Sequence, residues 1–165
     1  MIYVTVGTQK FPFNRLLRQL DLDVEQGKIS EPVFAQIGNS TYIPRNYESV
    51  PFLTEDEYRE RVRTCSLMIT HGGAAAIMLG LKYQKPVIVM PRLAKYGEHV
   101  DDHQLQITRS LSGGNYILPC GEHDELADLI QQARTQPFAR YVSRRQEAIA
   151  AVRAYLNTLK EKDRR

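Results

Sequence analysis

Residues 66–90, SLMITHGGAAAIMLGLKYQKPVIVM, carry the clearest structural signal in the chain. Apolar runs predict one strand over Ser66–Thr70 and a second over Pro86–Met90. Between them, His71-Gly72-Gly73 is typical of a tight turn, and the segment Ala74–Tyr83, rich in Ala and Leu, predicts a helix. This is a βαβ unit, which places its two strands parallel in one sheet with a right-handed crossover.

The same alternation of strands and helices continues on both sides of this unit. Thr54 and Glu57 have the spacing of a capping box, which predicts a helix from there to about Arg63. We predict an α/β fold, a Rossmann-like doubly wound parallel sheet of about six strands, which binds ligands beyond the carboxyl ends of its strands. The other predicted strands are Ile2–Val6, Pro32–Ile37, Ser49–Leu53 and Asn115–Leu118, and the other predicted helices are Asn14–Leu20, Asp101–Ser112, Asp124–Arg134 and a last one near Arg140–Lys160.

The composition is that of an ordinary globular protein. Of the 165 residues, 42% are hydrophobic and 25% are charged, which suits one α/β domain and leaves little room for a second. The net charge of +3 is too small to argue for nucleic acid. Positive charge gathers at the end, since Phe138–Arg165 carries eight Lys and Arg against three Asp and Glu. The last predicted helix also has an apolar stripe, which could pack on the core or dock a partner: Ile149, Val152, Leu156 and Leu159.

The sequence carries no signal of secretion or of membrane insertion. Cys65 and Cys120 lie among apolar residues and suggest no disulfide framework, so a reducing compartment fits. The N-terminal run MIYVTVGTQK lacks the basic lead and cleavage site of a signal peptide, and no stretch approaches the roughly 18 apolar residues of a membrane span. We expect a cytoplasmic protein whose membrane attachment, if it has one, is peripheral or through a partner.

The turn His71-Gly72-Gly73 is a candidate anion site. It directly precedes a predicted helix, whose first backbone N–H groups are unpaired and whose dipole adds roughly half a positive charge at that end. The two glycines lack side chains that would keep a diphosphate away, and His71 can donate a hydrogen bond to a phosphate oxygen. The alternative interpretation is a turn histidine beside glycines that serve packing alone.

Two further loops should meet this turn at the same edge of the sheet. Gly7 follows a buried strand, where a phosphate could approach the backbone and the Thr8 hydroxyl could donate, although a glycine there is also ordinary turn chemistry. Pro91–Gln106, PRLAKYGEHVDDHQLQ, concentrates charged and amide groups just before a helix. Such a loop suits a polyhydroxylated ligand, and it is also compatible with a solvated loop that has charged caps.

Two clusters raise the question of a metal ion. His99 and His103 stand four residues apart with three carboxylates close by, but their order is not that of the H-E-x-x-H motif. Asp21-Leu22-Asp23 is similar to acidic pairs that hold metal ions, yet it falls at the end of a predicted helix rather than after a strand. We therefore expect no metal site and interpret Asp21-Leu22-Asp23 as surface charge.

Residues 69–106, ITHGGAAAIMLGLKYQKPVIVMPRLAKYGEHVDDHQLQ, resemble the C-terminal, donor-binding domain of GT-B glycosyltransferases of family 28. The likeness is greatest to single-domain members, the bacterial PssE-like exopolysaccharide transferase subunits and the donor-binding subunit of the eukaryotic dolichol-pathway N-acetylglucosaminyltransferase. The shared features occur in the same order: TVGTQ at residues 5–9, the His-Gly-Gly turn, Lys-Pro before the next strand, Pro-Arg after it, and the Glu-His and Asp-His-Gln block. The resemblance covers essentially the whole chain and implies the C-terminal half of a GT-B fold.

The resemblance also implies which positions contact a UDP-sugar. The first two loops would hold the diphosphate, the backbone after the third strand would meet the uracil, and the third loop would reach the sugar hydroxyls. No cofactor or metal is implied beyond this sugar donor. His71 would stabilise the leaving group, and the implied donor-binding residues are Gly7, Thr8, Phe52, Leu53, Gly72, Gly73, Ala74, Arg92, Glu98, Asp102, His103 and Gln104.

By the same resemblance, the chain is the donor-binding subunit of a two-component inverting glycosyltransferase. Residues 1–137 would form the nucleotide-sugar-binding domain and 138–165 a basic amphipathic helix that docks the partner. Relatives with both halves fused begin with an acceptor-binding domain, which here would come from a membrane-associated partner acting on a lipid-linked saccharide in polysaccharide synthesis. The general base would lie on that partner, and the complex would assemble at the inner face of the membrane.

Two positions depart from the family pattern. Related donor sites often carry Ser or Thr where Ala76 stands, and a Glu that grips the ribose hydroxyls where Leu79 stands. The loss of both removes two polar contacts, each worth about 0.5–1.5 kcal/mol. Weak binding of the sugar donor would follow, or a non-catalytic subunit that stabilises another transferase. A flavodoxin-like or regulatory nucleotide-binding module is a third interpretation, which the long Glu-His and His-Gln loop disfavours.

Overall fold

The protein folds around a six-stranded, all-parallel sheet with strand order β3-β2-β1-β4-β5-β6. The computed structural model describes residues 1–143, 149–150 and 153. The predicted α/β class, parallel sheet and strand number are confirmed. In chain order the elements are β1 (Ile2–Thr5), α1 (Asn14–Glu25), β2 (Val33–Gln36), β3 (Glu48–Val50), α2 (Glu55–Thr64), β4 (Leu67–Thr70), α3 (Ala74–Lys82), β5 (Val87–Val89), a 3-10 turn (Ala94–Tyr96), α4 (His103–Gly113), β6 (Leu118–Pro119) and α5 (Leu126–Thr135).

Helices cover the sheet on both faces, so its central strands are buried at every position and polar only at their last residues. Side chains alternate between the faces of a strand, and in β1 Ile2 and Val4 join the core under α1 and α5, whereas Tyr3 joins the core under α2 and α3. All four residues of β1, β2 and β4 are buried, which a one-sided sheet would not require. This double cover explains the short β-branched runs in the sequence.

The strand order creates a crevice above the middle of the sheet. From β1 the chain moves outward through β2 to β3, then returns to the other side of β1 to form β4 and continues to β5 and β6. The loops after β1 and β4 therefore leave the sheet in opposite directions. At such a topological switch point a space remains between the loops, and in sheets of this type ligands bind there.

Several predicted boundaries move in the structure. The third strand stops at Val50 because Pro51 follows, and a proline has no N–H for the ladder. Helix α4 begins at His103, not Asp101, because the Asp101 carboxylate accepts the His103 N–H at 3.0 Å from outside the helix. The sixth strand is only Leu118–Pro119, since α4 runs to Gly113 and Asn115 takes a left-handed φ of 55°.

The interpretation of Asp21-Leu22-Asp23 as surface charge is wrong. Helix α1 runs five residues past the predicted end at Leu20, and Asp21 and Asp23 are 3% and 0% exposed. The Asp21 carboxylate accepts the backbone N–H groups of Arg45 (3.1 Å) and Asn46 (2.9 Å) and the Tyr42 hydroxyl. Asp21 therefore fixes the loop between β2 and β3.

The predicted last helix does not begin at Arg140. Residues 137–143 have no regular secondary structure, because contacts with the end of α4 hold them: the Ala139 N–H donates to Asn115 O at 2.9 Å, and the Tyr141 ring meets Tyr116 edge-on. Most of the predicted apolar stripe, Val152, Leu156 and Leu159, lies outside the described residues. The division at residue 137 therefore stays a prediction. Among the ranges that the structure describes, no helix is long and apolar enough to cross a membrane.

Candidate functional site

A cavity of about 640 Å³ lies above the carboxyl ends of β1, β2 and β4. The loop after β1, the turn after β4 and the starts of α2 and α3 form its walls. A cavity at the switch point of a doubly wound sheet is the expected place for a ligand. The lining residues are Thr5, Gly7, Thr8, Gln9, Gln36, Leu53, Glu55, Tyr58, Arg59, His71, Gly73, Ala74, Ala75, Ala76 and Leu79.

The start of α3 opens into this cavity. Gly73 is the N-cap residue, and in the described part of the chain no side chain caps the helix. Ala74 and Ala75 are exposed and line the cavity, in the first turn, where N–H groups have no intrahelical partner. The Gly72 N–H, by contrast, is already bound to Gln104 Oε1 at 3.1 Å. An uncapped helix start with a positive dipole end attracts anions. The geometry therefore suits a phosphate at Gly73–Ala75.

His71 lies in the wall between the two loops, with its ring largely buried. Its Nδ1 is 3.4 Å from Thr5 O and 3.3 Å from the Thr70 hydroxyl, which itself donates to Thr5 O. Because a carbonyl oxygen only accepts, Nδ1 carries the ring proton, and the neutral ring has its lone pair at Nε2. Burial, and next the charge of Arg92, lower the pKa of His71 to about 4, so the ring is neutral at pH 7. An anion beside Nε2 would favour the protonated ring, which can then donate to it.

Packing explains why the residues around His71 are glycines. A Cβ on Gly73 would lie 2.3 Å from His71 Nε2, and one on Gly7 would lie 2.6 Å from His71 Cε1. Gly7 also has a left-handed φ of 77°. A Cβ on Gly72 would lie 2.5 Å from that of Gln104. The glycines therefore make room for the protein's own side chains, as the packing interpretation predicts, and they also leave the helix start open. The anion site itself stays a prediction.

Arg92 is a fully buried cation that holds the loop after β1. Its Nη1 donates to Phe11 O (2.8 Å), Pro12 O (3.2 Å) and Glu98 O (3.0 Å), and its Nη2 donates to Val6 O (2.6 Å). Burial lowers its pKa to about 10, with Glu98 opposing the shift, so Arg92 is charged at pH 7. With both terminal nitrogens committed to carbonyls, Arg92 positions the loop from below and does not line the cavity.

Gln104 and Glu98 tie the third loop to the other two. Gln104 Oε1 accepts the N–H groups of Gly72 and Arg92, both at 3.1 Å, and so joins the turn after β4 to the loop after β5. Glu98 accepts two hydrogen bonds from Arg15 on α1 (3.0 and 2.9 Å) and the Leu93 N–H (3.0 Å). These residues were predicted to contact a sugar, which stays a prediction; in the structure they brace the loops.

The predicted site residues divide into two groups. Asp102 accepts the Ala94 N–H at 3.0 Å, and His103 is exposed beside Gln106. Phe52 is 49% exposed. Within residues 1–143 and the few described beyond them, no three His, Cys, Asp or Glu side chains gather in a way that could hold a metal. Gly7, Thr8, Leu53, His71, Gly73 and Ala74 line the cavity, whereas Phe52, Gly72, Arg92, Glu98, Asp102, His103 and Gln104 do not.

Sequence reasoning missed the floor of the cavity. Thr5 and Gln36 end the strands β1 and β2 and point polar groups toward the switch point, while Tyr58 and Arg59 approach from the first turns of α2. A polar residue at the end of a buried strand was the available signal for Thr5 and Gln36. Nothing in the sequence marked Tyr58 or Arg59. The departure at Leu79 gives the opposite wall an apolar surface.

The sequence matches a known family over nearly all of its length. The family described as "Glycosyltransferase family 28 C-terminal domain" matches residues 1–159. Among curated proteins, the chain is similar to the human UDP-N-acetylglucosamine transferase subunit ALG13, with 24% identity in an alignment of 128 positions that covers 72% of this chain. The match spans only 11% of the length of that relative.

Solved structures share the fold at low sequence identity. The kitacinnamycin glycotransferase superposes with a TM-score of 0.59 at 17% identity, covering 83% of this chain and 36% of that one. SnogD, a glycosyltransferase from Streptomyces nogalater, gives 0.52 at 17% identity, covering 81% and 38%. The solution structure of ALG13 gives 0.56 at 17% identity, covering 88% and 91%. The predicted GT-B donor-half fold is confirmed, and with the match over residues 1–159 the chain belongs to the glycosyltransferase family 28 C-terminal domain family.

Proposed function

We propose that the chain binds the UDP-sugar donor of a two-component inverting glycosyltransferase. The observation that carries this proposal is the uncapped start of α3, which opens into the cavity beside Gly7 and His71. Positive helix ends that face a cavity are suited to diphosphates. The human relative is itself named a subunit of a UDP-N-acetylglucosamine transferase, which supports both the nucleotide and the division into subunits.

In the proposed reaction the acceptor hydroxyl is deprotonated by a base and attacks the anomeric carbon, opposite the departing UDP. The bond from that carbon to the diphosphate oxygen breaks, and its electron pair stays on the diphosphate. The N–H groups at Gly73–Ala75 stabilise this added charge more in the transition state than in the bound sugar donor. His71, once protonated beside the phosphates, adds a hydrogen bond. In this proposal the helix start, rather than a metal ion or cofactor, carries the leaving-group charge.

The proposed partner supplies the acceptor site and the general base. It is a membrane-associated subunit that presents a lipid-linked saccharide in polysaccharide synthesis at the inner face of the membrane, with this chain recruited from the cytoplasm. The basic segment after Phe138 supports this role, since eight Lys and Arg would suit an acidic partner or an anionic lipid surface.

The first experiment is calorimetric titration of the full chain with UDP. Binding is expected, weakened by the apolar Ala76 and Leu79, and His71→Asn should reduce it while keeping a nitrogen near Thr5 O. The absence of UDP binding to the wild-type chain would overturn the proposal and favour the non-catalytic subunit.

Turnover is tested on the chain co-expressed with its partner, against a panel of UDP-sugars. His71→Ala should lower turnover at least tenfold, since it removes a contact to the leaving group. His123→Ala is the matched control, because His123 is exposed on the loop before α5 and does not line the cavity. Equal turnover of the wild type and His71→Ala would remove His71 from the mechanism.

A further inference from the structure

The Gln36 side chain faces the cavity without a hydrogen-bond partner among the described residues. It is the last residue of β2 and only 3% exposed, yet it lines the cavity. Its backbone oxygen accepts the Val6 N–H at 3.1 Å, but within the described residues its side chain makes no hydrogen bond. A carboxamide can donate two hydrogen bonds and accept two. Among the described residues, the buried side-chain atoms that lack a partner are Tyr3 Oη and Arg92 Nε, so the Gln36 amide atoms are open to the cavity and not sealed in the core. Their hydrogen-bonding capacity is therefore available to a ligand.

Other polar groups surround Gln36 on the cavity floor. Thr5 Oγ1 accepts the Gly7 N–H at 3.3 Å, and its hydroxyl also interacts with that of Tyr58. Burial raises the pKa of Tyr58 to about 12, so its hydroxyl stays protonated and can donate at pH 7. The walls above this floor are apolar, with Leu53 on one side and Leu79 on the other. A ligand that fits this cavity directs hydroxyl groups toward the polar floor and apolar faces toward the walls.

The strand order places Gln36 between two parts of the cavity. The diphosphate-binding groups follow β1 and β4, where Gly7 and Gly73 lie, and Leu53 follows β3. Strand β2 lies between β1 and β3 in the sheet. A nucleoside diphosphate has the same order of parts, namely phosphates, ribose and base. If the phosphates lie at α3 and the base lies near Leu53, the ribose falls above Gln36.

We propose that the Gln36 carboxamide binds the ribose hydroxyls of the nucleotide, with Tyr58 beside it. This inference rests on the proposed function, because it takes the ligand to be UDP. The amide oxygen accepts from one hydroxyl and the amide nitrogen donates to the other, which satisfies both ends of a buried side chain. Gln36 is then the residue by which the cavity distinguishes a ribonucleotide from a deoxyribonucleotide.

The experiment is a binding cycle on the full chain with two ligands, UDP and 2′-deoxy-UDP. The wild type should bind UDP about fivefold more tightly than 2′-deoxy-UDP, as one lost hydrogen bond predicts. Gln36→Met should bind UDP about tenfold more weakly than the wild type and should no longer distinguish the two ligands. Because the amide makes no hydrogen bond among the described residues, Gln36→Met should be at least as resistant to thermal unfolding as the wild type.

Two more variants serve as comparisons in the binding cycle. Gln36→Glu keeps the size of the side chain and can accept from both ribose hydroxyls, so it should bind UDP more tightly than Gln36→Met does and should still prefer UDP to 2′-deoxy-UDP. Gln132→Met, on the exposed surface of α5, should change neither affinity nor discrimination.

The outcomes separate this inference from the proposed function. If the wild type binds UDP and Gln36→Met still prefers UDP to 2′-deoxy-UDP, the role of Gln36 is overturned while the transferase proposal stands. Loss of the folded state in Gln36→Met would also overturn it, since that would show a structural partner for the amide. Failure of the wild type to bind UDP would overturn both.

Discussion

Gly73→Ala should destabilise the protein through one contact, with the His71 ring. The new Cβ would lie 2.3 Å from His71 Nε2 and 2.9 Å from Cε1, far inside contact distance. The backbone itself would tolerate alanine, because Gly73 has an ordinary φ of −74°. The ring cannot retreat easily, since its Nδ1 is held by Thr5 O and Gly7 packs against it. The expected loss is about 1–3 kcal/mol of unfolding free energy from overpacking, and up to about 1 kcal/mol from a poorer N-cap.

A double-mutant cycle isolates the contribution of the ring. In a His71→Ala background the Cβ of Ala at position 73 has space, so the same substitution should cost only the N-cap part, about 1 kcal/mol or less. The coupling free energy between the two positions should therefore be about 1–3 kcal/mol. The measurement is urea unfolding followed by circular dichroism for the wild type, both single variants and the double variant.

Gly113→Ala is the matched control for this cycle. A Cβ at Gly113, at the end of α4, would point into open space and meet no other part of the described chain within 4 Å. Alanine there should therefore be neutral or stabilising by up to about 1 kcal/mol. An equal cost for Gly73→Ala with and without His71 would refute the packing explanation of the His-Gly-Gly turn.

Two further predictions concern the groups that brace the site. The pKa of His71 is lowered from 6.5 to about 4, so the unfolded state takes up a proton before the folded state as the pH falls. The contribution of His71 to the free energy of unfolding is therefore full above pH 6.5 and is lost toward pH 4. The loss should be about 3 kcal/mol. The measurement is the free energy of unfolding of the wild type and of His71→Asn as a function of pH, and two parallel pH curves would contradict the prediction. Arg92→Lys should cost about 2–3 kcal/mol in urea unfolding, since one ammonium cannot reach the carbonyls that Nη1 and Nη2 share. Arg109→Lys, exposed on α4, should be neutral, and an equal effect of the two changes would show that the guanidinium geometry is unimportant.

Much of the site was predictable because its signals are local. The His-Gly-Gly turn lies between a buried strand and an alanine-rich helix, so the sequence alone places an open helix start at the edge of a sheet. The capping box of Thr54 and Glu57 forms as its spacing predicts, with Glu57 N 3.3 Å from Thr54 Oγ1. Both features depend on residues fewer than ten positions apart, where backbone geometry follows from residue type.

The features that the sequence does not predict depend on contacts between residues that are distant along the chain. Arg92 has the polarity of a ligand-binding residue, and its burial follows from a contact with Val6 across 86 positions. Gln36 is an ordinary strand end until β2 pairs with β1 and the turn after β4 closes the cavity above it. Residue type and periodicity determine which segments form strands and helices. The parallel pairing of those strands sets which polar groups face the same space, since strand neighbours in such a sheet come from separate parts of the chain.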